Sequence, residues 1–146
     1  PRQCGQAVVW NDAYNANPES IRAAMAAFAD LVEPDRPKVL VLGEVLELGE
    51  WSEQAHQELG VSIAQSHAAD PFQEIFLVGD AFSSAAEHLC ADGLPVRHAR
   101  EALSLQEQFR SMLEYPVAVL MKGSRGTGLE RLLPSAGEEP LSGSMG

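Results

Sequence analysis

Three short apolar runs, each followed at once or one residue later by glycine, constrain this chain more than any other feature. Lys38-Val39-Leu40-Val41-Leu42 stops at Gly43, and Glu74-Ile75-Phe76-Leu77-Val78 stops at Gly79. Pro116-Val117-Ala118-Val119-Leu120-Met121 leads into Lys122-Gly123. Apolar runs of strand length that are continuous rather than alternating predict strands covered on both faces, as in a parallel sheet. Ala7-Val8-Val9-Trp10 reads as a further short buried strand, and Pro95-Val96-Arg97-His98 as a weak one near the sheet's edge.

Helical signals fall between these runs. Asn17-Pro18-Glu19 starts a helix: asparagine caps the free N–H groups, proline suits the first position, and glutamate complements the dipole. Ile21, Met25, Phe28 and Val32, with Ala24 between them, form its inner stripe, and the two prolines of Glu33-Pro34-Asp35-Arg36-Pro37 end it. Further helices are expected from Ser52 to Ala69, with a loose stripe of Ala55, Leu59, Val61 and Ile63, and from Ala81 to Cys90. Another runs from Glu101 to Glu114 with Leu105, Phe109, Met112 and Leu113 inward, and a short one from Thr127 to Leu133. Strands alternating with helices predict a Rossmann-like, doubly wound, mostly parallel sheet flanked by helices. It forms one domain over residues 1–133, with a small, polar, glycine-rich tail over 134–146 expected to be flexible.

Composition narrows the partners. The chain has 146 residues, enough for one domain with a core, and its 45% hydrophobic and 21% charged content is that of a globular protein. Ten basic against 21 acidic residues give a net charge of −11, which disfavours nucleic acid and anionic membranes. No run is long enough to span a bilayer and no signal peptide is apparent, so a reducing, cytoplasmic setting is expected. Cys4 and Cys90 make neither a metal cluster nor a disulfide scaffold. Pro1 opens the chain without methionine, as in a piece of a longer protein or after removal of an initiator.

In doubly wound sheets ligands bind beyond the carboxyl ends of the strands, which directs attention to loops 11–17, 43–50, 79–80 and 122–128. In Asn11-Asp12-Ala13-Tyr14-Asn15-Ala16-Asn17, Asp12 can accept hydrogen bonds from a ribose diol and Tyr14 offers a flat face to a base. The same residue types equally serve as turn formers bonded to their own backbone. Lys122-Gly123-Ser124-Arg125 sets two cations and a hydroxyl beside a helix start, which suits a carboxylate or phosphate, or is simply a charged glycine turn. Glu44, Glu47 and Glu50 read as a solvated face sooner than a metal site, and His56 is the one histidine placed near that loop. No phosphate loop, nucleophile elbow or catalytic triad order is present.

Three blocks stand in order between about Asn11 and Leu133. They are Asp12-Ala13-Tyr14-Asn15-Ala16-Asn17-Pro18-Glu19-Ser20; Leu42-Gly43-Glu44-Val45-Leu46-Glu47-Leu48-Gly49 with Ser52, Glu53 and His56; and Lys122-Gly123-Ser124-Arg125 with Glu130. Together they resemble the C-terminal domain of the Mur ligases. The tyrosine–asparagine pair and Lys-Gly-Ser-Arg are similar to the members that add D-alanyl-D-alanine to UDP-N-acetylmuramoyl-tripeptide. The resemblance implies a cytoplasmic, three-domain, ATP-dependent ligase of peptidoglycan synthesis, expected to be monomeric. Its partners are then the central and N-terminal domains, with the central domain supplying the phosphate loop and Mg2+ ligands.

By the same resemblance Asp12, Tyr14 and Asn15 bind nucleotide, while Lys122, Ser124 and Arg125 lie near the dipeptide carboxylate. No catalytic residue and no metal ligand is expected in this chain. The family carries an arginine upstream of the Asp12 block; Arg2 stands too close to fill that place, so that arginine is expected elsewhere. Lacking a phosphate loop, the domain alone is expected to be inactive. The competing expectation is a free-standing α/β module that binds a small molecule or regulates.

Overall fold

The computed structural model describes residues 1–12 and 16–135. Six strands form one sheet: β1 (Arg2–Cys4), β2 (Ala7–Asp12), β3 (Lys38–Gly43), β4 (Glu74–Val78), β5 (Val96–Ala99) and β6 (Ala118–Lys122). Their order across the sheet is β1-β2-β6-β3-β4-β5. All neighbours are parallel except β1 and β2, which are antiparallel. The doubly wound, mostly parallel sheet expected from the apolar runs is therefore the observed one.

Alternate residues of the inner strands feed two separate cores, as the continuous apolarity requires. Leu40, Leu42, Ile75, Leu77, Ala118 and Leu120 face one side, under α1 (Pro18–Leu31), α2 (Ser52–Ala69) and α3 (Ser83–Ala91). Val39, Val41, Phe76, Val78, Val119 and Met121 face the other, under α4 (Gln106–Met112) and the 3-10 turn Leu129–Leu132. Phe109 of α4 meets Phe76 edge-on at 5.7 Å, and Phe28 of α1 meets Trp10 of β2 at 5.6 Å. Among the described residues no helix is long and apolar enough to cross a membrane.

Helix α1 begins as its sequence dictates. The Asn17 side chain accepts from Ser20 N at 2.8 Å and Ser20 Oγ accepts from Asn17 N at 3.0 Å, a reciprocal cap with Pro18 at the first turn. Ile21, Met25, Phe28 and Val32 are buried as expected. Helix α2 has the expected ends, but Val61 is exposed; its inner face is His56, Leu59, Gly60 and Ile63. Gly60 and Ala85 let α2 and α3 approach closely, so the stripe contains a glycine where a larger apolar residue would be looked for.

Three elements differ from their sequence reading. Strand β1 was not expected: three residues, two of them Arg2 and Gln3, carry too weak a pattern. It is tied to β2 through the Gly5-Gln6 turn, with Cys4 opposite Ala7 and Gly5 at φ +60. The helix expected over Glu101 to Glu114 starts as a 3-10 turn, Ala102–Leu105, and is α-helical only over Gln106–Met112. The helix expected from Thr127 is two 3-10 turns, Arg125–Thr127 and Leu129–Leu132, separated by Gly128 at φ +69. Gly128 in the left-handed region breaks the helix, and side chains take the last carbonyls, which even an unbroken helix would leave open: Gln106 donates to Arg131 O at 2.7 Å and Arg110 to Leu132 O at 3.1 Å. Arg2 donates to the carbonyl of Pro134 at 3.0 Å, and Pro134 is buried; the remainder of the expected tail, 136–146, lies outside the described residues.

Strand β6 arrives last in the chain yet lies between β2 and β3, and its end packs on its neighbour's backbone. A Cβ on Gly123 would stand 2.8 Å from both Cα and N of Gly43. Backbone cannot yield as a flexible side chain can, so Gly123→Ala is expected to destabilise the chain by about 1–3 kcal/mol, the usual cost of overpacking. Urea denaturation checks this: the midpoint should fall with an unchanged m value.

Candidate functional site

Parallel strands place the ends of β2, β3, β4, β5 and β6 along one edge, and the loops leaving it diverge. β2, β3 and β4 pass into α1, α2 and α3 on one face; β6 passes into the turn Leu129–Leu132 on the other. Such divergence opens a crevice at the carboxyl ends of adjacent strands. Here two crevices flank β6, one toward β2 and one toward β3.

The crevice toward β2 holds an ion pair. Asp12 and Lys122 are register partners, and the Lys122 Nζ lies 2.7 Å from Asp12 Oδ2. The two side chains differ sharply in exposure, 5% for Lys122 and 61% for Asp12. A desolvated ammonium thus meets a carboxylate whose remaining lone pairs face solvent. The first and third sequence blocks, read as separate nucleotide and substrate loops, meet in this pair. Tyr14 and Asn15, the other two residues expected at the nucleotide, lie outside the described residues.

Packing fills the crevice toward β3. Gly43 and Gly123 approach backbone to backbone, and the loop after β3 is fixed at three successive residues. Glu44 Oε2 accepts from Ala81 N at 2.8 Å, His56 Nε2 accepts from Val45 N at 2.9 Å, and Ser124 Oγ accepts from Leu46 N at 2.9 Å. His56 Nδ1 lies 2.7 Å from the Ser52 carbonyl. An amide only donates and a carbonyl only accepts, so the imidazole carries its proton on Nδ1. His56 is fully buried, edge-on to Phe82 at 4.7 Å, and it ties the loop to its own helix. Beyond the fixed residues Glu47 takes φ +66, a conformation that costs a non-glycine residue on the order of 1 kcal/mol. Leu46 leans on Gly126 across the gap.

Ser124 therefore joins the second block to the third, and Arg125, the next residue, is exposed. Arg125 lines a cleft of about 430 Å³ on the α4 side of the edge. Its wall also includes Glu44, Gly79, Arg100, Glu101, Thr127 and Arg131, so cations and carboxylates alternate around an opening that could take a small zwitterion or anion. Gly79, at φ +116, must be glycine for a second reason: a Cβ there would collide with the Glu44 side chain.

Sequence reasoning missed Arg100 and Arg131. Arg100 directly follows β5, but a strand read as weak and ending at His98 gave no reason to inspect its loop. His98 in fact donates from Nε2 to Gly79 O at 2.8 Å, tying β5's end to the same edge. The loop carboxylates do not gather: Glu44 turns to Ala81 N, and Glu47 and Glu50 are exposed. Among the described residues no three His, Cys, Asp or Glu side chains converge as a metal site.

Removing the imidazole strands a buried amide, which costs about 1–3 kcal/mol. In His56→Ala the Val45 amide should therefore exchange its hydrogen markedly faster than in the unmodified chain, with residues of β6 keeping their protection. Equal exchange at Val45 in both proteins would show that the loop holds without His56.

Comparison with known proteins places this geometry in a family. Residues 2–125 match the family model described as Mur ligase, glutamate ligase domain. The chain is 35% identical to the UDP-N-acetylmuramoyl-tripeptide--D-alanyl-D-alanine ligase of Bacillus subtilis over 136 residues, 90% of this chain and 28% of that enzyme. A crystal structure of MurF from Acinetobacter baumannii superposes with a TM-score of 0.74 at 30% identity, again over 90% of this chain and 28% of the other. The MurF ligase from Thermotoga maritima, solved in complex with ADP, has the same fold at 22% identity and a TM-score of 0.66, with 90% and 28% covered. The chain thus spans little more than a quarter of the proteins it matches. With its match over residues 2–125 and its three sequence blocks gathered on one sheet edge, the chain belongs to the Mur ligase family, as its glutamate ligase domain.

Proposed function

We propose that this chain is the C-terminal domain of a cytoplasmic, monomeric, ATP-dependent ligase that joins D-alanyl-D-alanine to UDP-N-acetylmuramoyl-tripeptide in peptidoglycan synthesis. The observation that carries the reading is the gathering of the three family blocks at one edge: Asp12 and Lys122 in contact, and Ser124 bonded to the loop after β3. Family membership and the similarity to ligases of that specificity, from Bacillus subtilis among others, support it.

In this reading the reaction is shared between domains. The companion central domain would supply the phosphate loop and Mg2+ ligands; there an oxygen of the tripeptide carboxylate takes the γ-phosphoryl group of ATP to give an acyl phosphate, the bond to the β-phosphate breaks, and ADP leaves. The dipeptide amine then attacks that carbonyl, phosphate leaves with the bonding pair, and the amine's proton is lost. In this reading the Mg2+ ligands belong to the companion domain, as the family resemblance implies. This domain's share is binding and alignment. The exposed carboxylate of Asp12 fits a ribose diol, and the family resemblance assigns Tyr14 and Asn15 to the same nucleotide. Ser124 and Arg125 face the dipeptide carboxylate, with Lys122 nearby at the base of the same loop. Closure of the domain brings the amine to the acyl phosphate and keeps water from it, so the isolated domain is inactive.

The test is kinetic, in the full-length ligase. Losing a charge-assisted hydrogen bond costs about 1.5–3 kcal/mol, so Asp12→Ala should raise the KM for ATP at least about tenfold. Arg125→Ala should raise the KM for D-alanyl-D-alanine by about the same factor and leave that for ATP near its original value. Unchanged constants in both variants would remove these site assignments.

A further inference from the structure

We propose that Lys122 is a positioning residue for Asp12, and so acts on the nucleotide rather than on the dipeptide. The inference rests on the reading of Asp12 as the ribose contact. It starts from strand geometry: Asp12 and Lys122 are direct partners on adjacent parallel strands, and Trp10 and Leu120 are the preceding pair. Trp10 and Leu120 face the α1–α3 side, so by the two-residue period Asp12 and Lys122 project to that side too. On the other flank of Lys122 stands Leu42 of β3, fully buried. The lysine stem is thereby enclosed, and its side chain is 5% exposed.

A cation desolvated to this degree is held where its charge is compensated, and Asp12 Oδ2 lies 2.7 Å from it. To reach a dipeptide carboxylate the ammonium would have to leave both that contact and its enclosure. Arg125, three residues further along, is exposed. Lys122 instead occupies one face of a 61% exposed carboxylate. That fixes the rotamer of Asp12 and leaves the opposite oxygen, and the outer lone pairs of Oδ2, to accept from two vicinal hydroxyls. Because Lys122 ends the strand that also begins Gly123-Ser124-Arg125, the aspartate is referenced to the backbone of the loop that faces the second substrate.

The test is a double-mutant cycle in the full-length ligase with Lys122→Met, Asp12→Ala and the double variant, reading KM for ATP and for D-alanyl-D-alanine separately. Lys122→Met should raise the ATP KM by about tenfold and leave the dipeptide KM within about twofold, and the double variant should be no worse than Asp12→Ala alone. Lys122→Arg, which keeps the charge, should recover part of the loss. A rise in dipeptide KM with ATP KM unchanged would overturn the proposal and make Lys122 a substrate contact. Additive effects in the double variant would overturn it equally. Should Lys122→Met not fold, Lys122→Gln carries the same comparison. An Asp12→Ala enzyme with an unchanged ATP KM would sink the nucleotide reading itself, a result distinct from failure of the cycle.

Discussion

Strand β6 lies between β2 and β3 although it is the last strand among the described residues, and the carboxyl edge of the sheet is organised around its end. The strand is buried on both faces, so its final residue, Lys122, arrives at the edge already enclosed. Its side chain meets the end of β2 through Asp12, and the next residue, Gly123, meets the end of β3 at Gly43. The two crevices flanking β6 are consequently unlike each other. One is polar and open to solvent; the other is closed by glycine-on-glycine packing.

That difference divides labour among residues that a linear reading would group together. Glu44, His56 and Ser124 are polar residues of the site loops and of the helix behind them, and they accept from the backbone amides of residues 81, 45 and 46 respectively, while the Ser124 hydroxyl keeps its proton to donate. They make the loop after β3 a fixed wall. Arg125, Arg100 and Arg131 stand where that wall meets the cleft, and Asp12 stands in the open crevice. Rigid framing of a few exposed groups is what a domain needs when it must carry bound substrate toward chemistry held elsewhere.

Much of this was legible in the sequence because burial on two faces leaves so plain a mark. The runs at 38–42, 74–78 and 116–121 became β3, β4 and β6, and Asn17-Pro18 became the start of α1. What escaped were elements decided by tertiary contact. Strand β1 exists because Arg2–Cys4 can add to the edge of β2, and the two turns over 125–132 meet at a left-handed Gly128 and are tied to α4 through Gln106 and Arg110. Val61 looked like part of a stripe, yet Gly60 is the residue that touches α3. At the site, the loops at the sheet edge were legible from topology alone, and the family blocks supplied the residues proposed for them. The pairing of Asp12 with Lys122 was not legible, since 110 residues separate them and only the strand order brings them together. His56 was noticed for its position, but its role as a staple depends on a loop conformation that no spacing reveals.

In the proposed reading one sheet edge carries two adjacent half-sites, one for nucleotide and one for dipeptide, that await a companion domain. An NMR titration of this chain with ATP, and separately with D-alanyl-D-alanine, addresses it most directly. ATP is expected to shift resonances around Asp12 and the start of α1, and the dipeptide those around Ser124 and Arg125. Shifts centred elsewhere, such as the groove between α2 and α3, or the same residues responding identically to both ligands, would contradict it.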